Sequence, residues 1–403
     1  MNPRCKAGLL VLLLAPLAAR SEQWTLDHTV ATRYEVNDNA ALAPTSPGTM
    51  NSLSLSSNLQ AARRSENAAT SVRALMAAVE ERGRGANDRV DGQWRVSQTF
   101  DDPLHSLSLS AGYLQDLNNN IDTGDVLVGR ARRRTMQADA SLSRQLSPRW
   151  SASVQGAFDR TRYGADGASD FRNGSGGGGL SYRLTERQTT SLHLSQARYR
   201  TEDGRYRSTT DQFSLGWSQQ LSERSSMSLS VGGYRSRSGG QRTVLVCPLD
   251  PSFCPTFIPY QRVTEPANET RRGLQFNFSS RWQLGEAIEA SLRAAREQSP
   301  SGAGVLARRD TLGATLNQSF TPRASGSFGY ARSRALYGSF GGDVSRTEES
   351  LSLSFTHRLA EDLSLQAGAT HRRARSSLFG GSASANAVNL SLSVDWPRLD
   401  AAR

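Results

Sequence analysis

The sequence nearly lacks lysine: Lys6 is the only one, and all other basic residues are arginine. Cysteine is scarce as well, with three in 403 residues, and there are five histidines. Beyond the first twenty residues no apolar run is long enough to cross a bilayer as a helix. That absence excludes a helical membrane protein. Three cysteines are too few for a disulfide scaffold. No Cys or His cluster has metal-ligand spacing, so neither a metal nor another cofactor is implied.

The N-terminus has the three parts of a secretory leader. Arg4 and Lys6 are its basic start, Ala7 to Leu14 (AGLLVLLL) its apolar centre, and Leu17-Ala18-Ala19 its small-residue end. Cleavage is expected after Ala19, giving a leader of residues 1–19 and a single domain over 20–403. Cys5 leaves with the leader. Cys247 and Cys254, in CPLDPSFCP, are then the only pair in the exported chain. In an oxidising compartment they are expected to close a small disulfide loop, with free thiols as the alternative.

Net charge is +11. Arginine grips phosphate and carboxylate bidentately, which suits a phosphate-rich lipopolysaccharide surface or acidic sugars. No nucleic-acid recognition motif accompanies the charge, so nucleic acid is not an expected partner.

From Trp24 to Trp396 one pattern recurs. Segments such as SLSLSSNLQ, SLSLSAGYLQDL, QFSLGWSQQL, LSLSFTHRL and VNLSLSVDW alternate apolar and small polar residues. A period of two marks a strand with one wet and one apolar face. About eighteen such segments are expected, with 16 or 14 as alternatives. ATSVRALMAAVEE is ambiguous between strand and helix. Short turns, such as Ser147-Pro148 and Glu186-Arg187, alternate with long Gly-, Asn- and Ser-rich loops. That alternation fits an all-β, antiparallel up-and-down transmembrane β-barrel with short periplasmic turns, long outer loops and both termini periplasmic. The low mean hydropathy of −0.52 agrees, because only alternate residues of each strand meet lipid.

The phase of the strands places the aromatics at two heights. Trp24, Phe100, Trp150, Trp282, Phe320 and Trp396 are expected at the periplasmic edge. Tyr34, Trp94, Tyr113, Phe158, Tyr182 and Tyr199 are expected at the outer edge, as in two aromatic girdles. The mature chain resembles the β-barrel porins of Gram-negative outer membranes, in particular barrels encoded beside exopolysaccharide genes. The resemblance lies in ATRYEVNDNAAL, in the SLSLS strands and in the closing NLSLSVDW. It implies passage of small polar solutes or a secreted polysaccharide, with lipid, lipopolysaccharide and the barrel-assembly machinery as partners. The oligomeric state stays open.

The same phase assigns a lumen lined by Ser, Asn, Gln and Gly. Its charged candidates are Arg33, Arg95, Arg183, Arg281, Arg293, Arg358 and Arg372, opposed by Asp27, Glu35, Asp139, Asp159, Glu289 and Asp395. The signs nearly balance, so strong anion selectivity does not follow from the +11. Of the histidines, His193 points inward, with Ser195 on the same face. His28, His357 and His371 fall on the lipid register, and His28 sits there uneasily enough to suggest an offset first strand. A Ser/His or Asp/His hydrolase is the weakest reading. The run Gly174–Gly179 lacks a Gly-Lys-Ser/Thr ending and reads as a loop entering a strand. The longest outer loop is expected from about Ser236 to Ala267, and the third spans Asn118 to Gly129. The remaining alternative is a non-conducting structural or adhesive barrel that binds surface glycans.

Overall fold

In a computed structural model, the described residues are 23–118, 131–164, 168–246, 261–301, 305–339, 342–377 and 381–402. The expected leader (residues 1–19), Cys247 and Cys254, and the Asn118–Gly129 loop (apart from Asn118) lie outside them. Eighteen strands form one sheet: β1 (Gln23–Asn37), β2 (Met50–Arg64), β3 (Ala68–Arg82), β4 (Arg89–Asp101), β5 (His105–Asn118), β6 (Ala131–Gln145), β7 (Trp150–Tyr163), β8 (Phe171–Thr185) and β9 (Gln188–Thr201), followed by β10 (Tyr206–Ser222), β11 (Ser225–Val246), β12 (Gln261–Leu284), β13 (Ile288–Pro300), β14 (Leu306–Thr321), β15 (Ala324–Ser339), β16 (Gly342–Arg358), β17 (Leu363–Ser376) and β18 (Gly381–Ala402). Each strand pairs antiparallel with its neighbours in sequence, and β18 pairs with β1. The sheet thus closes into a barrel, which is how strands satisfy their backbone groups inside a bilayer. The ambiguous third segment is strand β3, because it pairs along its length with β2 and β4.

Alternation along each strand divides the wall into two faces. Leu53, Leu55, Val154, Leu194, Leu215, Leu353 and Val388 stand on the exterior, and all are exposed. The residues between them are serine, threonine, glutamine, asparagine and glycine. Apolar side chains left in the open on the convex face form the lipid-facing band of a transmembrane barrel. The small polar set faces the lumen.

The short turns carry a repeated device that sequence reading overlooked. Ser147-Pro148-Arg149, Thr185-Glu186-Arg187, Ser222-Glu223-Arg224 and Thr321-Pro322-Arg323 share one pattern. In each, the Ser or Thr hydroxyl accepts the arginine N–H two residues on, at 3.2–3.3 Å. Each arginine carbonyl then accepts an N–H from the following hairpin: Arg183, Gln220, Gln283 and Arg358 are the donors. The turns therefore interlock around one rim. Asp102 serves the same purpose in its turn, accepting the Leu104 and His105 N–H groups at 2.8 Å. Those two backbone donors, Leu104 first, hold its carboxyl below the usual carboxylate range.

Several expectations are corrected by the register. Gly174–Gly179 lies inside β8, not in a loop. Glycine is needed there because a Cβ on Gly177 would sit 2.7 Å from the Leu194 carbonyl and 2.8 Å from the Ser195 Cβ. The long hairpin of β11 and β12 stays paired from Ser225↔Trp282 to Val246↔Gln261, so most of the expected Ser236–Ala267 loop is strand. Tyr182 lies opposite Trp150, rings 4.7 Å apart, at the short-turn edge and not the long-loop edge. Tyr199 faces the lumen and is only 2% exposed. The discomfort of His28 has a local solution. The β1–β18 register shifts by a bulge between Leu26 and His28. The His28 ring then stacks on Trp396 at 6.1 Å and meets the Ser57 hydroxyl at 3.0 Å.

Candidate functional site: the lumen wall

The lumen wall differs between its two ends. Toward the short turns it is a lattice of hydroxyls bonded across neighbouring strands. Ser228 meets Ser279 at 2.7 Å, and Ser327–Ser354, Ser364–Ser393, Ser71–Ser97 and Ser291–Thr315 meet at 2.6 Å. These pairs satisfy one another and leave their remaining lone pairs toward the channel. Glu289, Asn317, Ser327 and Ser354 line a recess of about 410 Å³ in this region. Ser218, Ser228, Arg281, Glu289 and Arg293 line another of about 540 Å³. Both are polar hollows in a wetted wall.

All seven sequence-predicted arginines fall on the luminal register. They do not form a ring. Arg33 pairs with Glu35 at 2.5 Å, and Arg281 with Glu289 at 2.6 Å. Arg95 donates to Ser110, which donates to Asp139, and the Arg95–Asp139 separation is 3.6 Å. Arg183, Arg293, Arg358 and Arg372 have no ion-pair partner among the described residues. Luminal arginines that the sequence reading missed include Arg73, opposite Arg95, and Arg89, Arg133, Arg271, Arg309 and Arg346. Most of these sit with carboxylates: Arg89 with Glu81 at 2.5 Å and Asp91 at 2.8 Å, and Arg133 with Asp116 at 2.7 Å. Arg346 and Glu348, 2.6 Å apart, are both buried. An i,i+2 Arg-x-Glu spacing in a strand puts both side chains on one face, and that signal is readable at Arg33-Tyr34-Glu35 and Arg346-Thr347-Glu348.

Toward the long loops, side chains fold into the channel. The start of β14 reaches across to other strands of the barrel. Val305 and Leu306 pack on Phe171, Tyr199 and Tyr206, which belong to β8, β9 and β10. The Tyr199 hydroxyl donates to the Ser301 carbonyl at 3.1 Å. The crossing is possible because β12 and β13 pair only as far as Phe276↔Arg296, so the wall parts above that level. A second segment folds in over β17 and β18, where Leu42 packs on luminal Ala374, Ala383 and Ala385. Asn39 ties it down, its amide donating to the carbonyls of Ala43 and Ser384 at 2.8 and 2.9 Å. The alanines are needed: only a small side chain leaves room for a loop inside the wall. Both segments narrow the mouth at this end.

His193 does project into the lumen. Its ring nitrogen lies 3.4 Å from the Gln155 amide nitrogen, and Gly177 and Gly179 make space beside it. Ser195 donates instead to Gln212, at 3.5 Å. The structure therefore does not bring Ser195, His193 and a carboxylate into a relay. His357 and His371 lie on the exterior register, and His371 meets Asn386 at 2.7 Å. Among the described residues no group of three or more His, Cys, Asp or Glu is placed to hold a metal.

No protein-family model matches the sequence, and no curated protein matches it significantly. Solved structures share its general form. OccAB3 of Acinetobacter baumannii is 13% identical, with a TM-score of 0.46 over 93% of this chain and 99% of its own. OccK9 (OpdG) of Pseudomonas aeruginosa is 14% identical, with a TM-score of 0.48 over 93% and 98%. The ferric-catecholate import receptor Fiu of E. coli is 10% identical, at 0.44 over 92% and 82%. Nothing about function transfers at this distance, and the barrel assignment rests on the strand ladder itself.

Proposed function

We propose that this chain is a Gram-negative outer-membrane barrel that lets small polar solutes pass passively through its lumen. On this reading residues 1–19 are removed on export, the short turns face the periplasm, and the long loops face outward. The observation that carries the reading is the wall: small hydroxyl and amide side chains inside, an apolar band outside, and luminal arginines largely matched by carboxylates. Such a lining wets readily and binds nothing tightly. A weak anion preference falls to Arg183, Arg293, Arg358 and Arg372, which have no ion-pair partner among the described residues. Cys247 and Cys254 form a disulfide in the same reading. A secreted polysaccharide is the alternative cargo, since a channel of hydroxyls and unpaired arginines suits an acidic sugar chain. Assembly by the barrel-assembly machinery uses the closing strand that ends near Trp396.

Single-channel recording of the refolded chain in a planar bilayer tests this. Ohmic conductance is expected, with a reversal potential in a salt gradient that leans toward anions. The second reading, a closed structural or adhesive barrel, is favoured by the inward β13–β14 tip and the Leu42 segment. A barrel that inserts but never conducts would establish it and end the channel reading.

A further inference from the structure

The outward face at the long-loop end of β7–β10 carries a row of arginines. Arg160 lies directly opposite Arg172, Arg172 opposite Arg200, and Arg200 opposite Arg207. Four like charges side by side across four neighbouring strands repel one another. Glu202 offsets only one end of the row. It accepts from Arg160 at 2.5 Å and lies 3.8 Å from Arg162, on the next position outward. Arg172, Arg200 and Arg207 are exposed and have no ion-pair or hydrogen-bond partner for their guanidinium groups among the described residues. Elsewhere on the outward face such charges are paired, as Arg237 with Asp211 at 3.3 Å and Arg296 with Asp310 at 2.6 Å. Among the described residues nothing neutralises Arg200 and Arg207, and an external anion would relieve them.

We propose that this row binds the phosphate groups of an anionic glycolipid in the surrounding leaflet, as lipid A of lipopolysaccharide carries them. Three observations select a lipid. The row faces away from the lumen, so a solute in transit does not meet it. It stands on the same face as Phe158, two residues from Arg160, and that face continues toward the short turns into the exposed apolar side chains of Leu194, Phe213 and Leu215. Arginine forks also take phosphate oxygens two at a time, so neighbouring guanidinium groups can share one phosphate and exchange mutual repulsion for charged hydrogen bonds. The proposal rests on the outer-membrane reading above, with the long loops outward.

The test uses the full refolded chain in detergent micelles and two probes: deep-rough lipopolysaccharide with both lipid A phosphates, and the same material after dephosphorylation. The wild type is expected to prefer the phosphorylated form. Arg172→Gln/Arg200→Gln/Arg207→Gln is expected to lose that binding by about tenfold or more, as the loss of charged hydrogen bonds implies. Arg149→Gln/Arg187→Gln/Arg224→Gln removes the same charge at the opposite rim and is expected to bind as the wild type does. Equal binding of both probes, or an unaffected row variant, would overturn the proposal. Should the row variant not fold, Glu202→Gln decides, because removing the competing carboxylate is expected to tighten binding and no change refutes the site. Heat-modifiable gel mobility and insertion into vesicles are read in parallel. A wild type that forms no barrel there refutes the outer-membrane reading, whereas a barrel with phosphate-independent binding refutes this inference alone.

Discussion

The two ends of the barrel solve the same closure problem in opposite ways. At the short-turn rim, four Ser/Thr-x-Arg turns are each held by a side-chain bond to the arginine N–H and hand one carbonyl to the next hairpin. Turn residues there, such as Glu186 and Arg187, only border the luminal recesses. At the long-loop rim, order comes from tertiary packing: Val305 on Tyr199, Leu42 on Ala385, and Arg346 beside Glu348. Local bonding leaves a lumen open, and long-range packing fills it. On the channel reading proposed above, the difference places selectivity at the long-loop end and durability at the other.

The largest effect expected from breaking this contrast is at the inward tip. Tyr199→Ala removes the ring at the centre of the Phe171–Tyr206 cluster and the bond to Ser301. It should cost about 3 kcal/mol, in the range of buried aromatic truncations, by denaturant unfolding in micelles. The same variant should raise single-channel conductance, because the tip loses its anchor. Conductance equal to wild type would mean that the tip does not narrow the pore. Next comes the lipid face: Leu194→Arg, one residue from Ser195 but on the opposite face, should cost about 2–4 kcal/mol in a bilayer. Ser195→Arg should fold normally and change conductance instead. Equal penalties at the two positions would refute the assignment of faces.

Gly177→Val comes third, at about 1–3 kcal/mol of overpacking against Leu194 and Ser195, measured by the same unfolding curves. The smallest effect is expected at the short-turn rim. The Asp102 carboxyl titrates below its ordinary value because the Leu104 and His105 N–H groups donate to it. A depressed carboxylate stabilises above the unfolded pKa and loses that contribution as pH falls through the folded one. Hydrogen exchange at those two amides should therefore speed up only below about pH 4, and Asp102→Asn should flatten the response. Unchanged acid dependence in Asp102→Asn would show that the carboxylate does not hold the turn.

The barrel was legible because a period of two is a local property. SLSLS can be read from five residues, and the strand count follows from repeating the exercise. The luminal arginines were legible for the same reason, since parity fixes a face. Ion pairing was only half legible. Arg33 and Glu35 share a strand, but Arg133 finds Asp116 on a neighbour, and that depends on register. The inward tip left no local trace. Val305 and Tyr199 lie far apart in sequence, and only the parting of β12 from β13 brings them together. Gly174–Gly179 misled because glycine usually marks a loop. Here Gly177 and Gly179 mark a stretch of luminal wall with little room for a side chain beside His193.

The ladder between the first and last strands reaches further than its hydrogen bonds. Thr29 donates to Asp395 at 2.6 Å across a sequence separation of 366 residues. A contact that distant contributes nothing until nearly the whole polypeptide is in place, and the entropy of joining such ends must be met in one step. The ring is therefore a late, cooperative event, and the seam beside His28 and Trp396 acts as its clasp. Partly synthesised or truncated chains have no stable ring to fall back on. An enzyme or chaperone that handles this protein must hold seventeen strands without an edge partner until the eighteenth arrives.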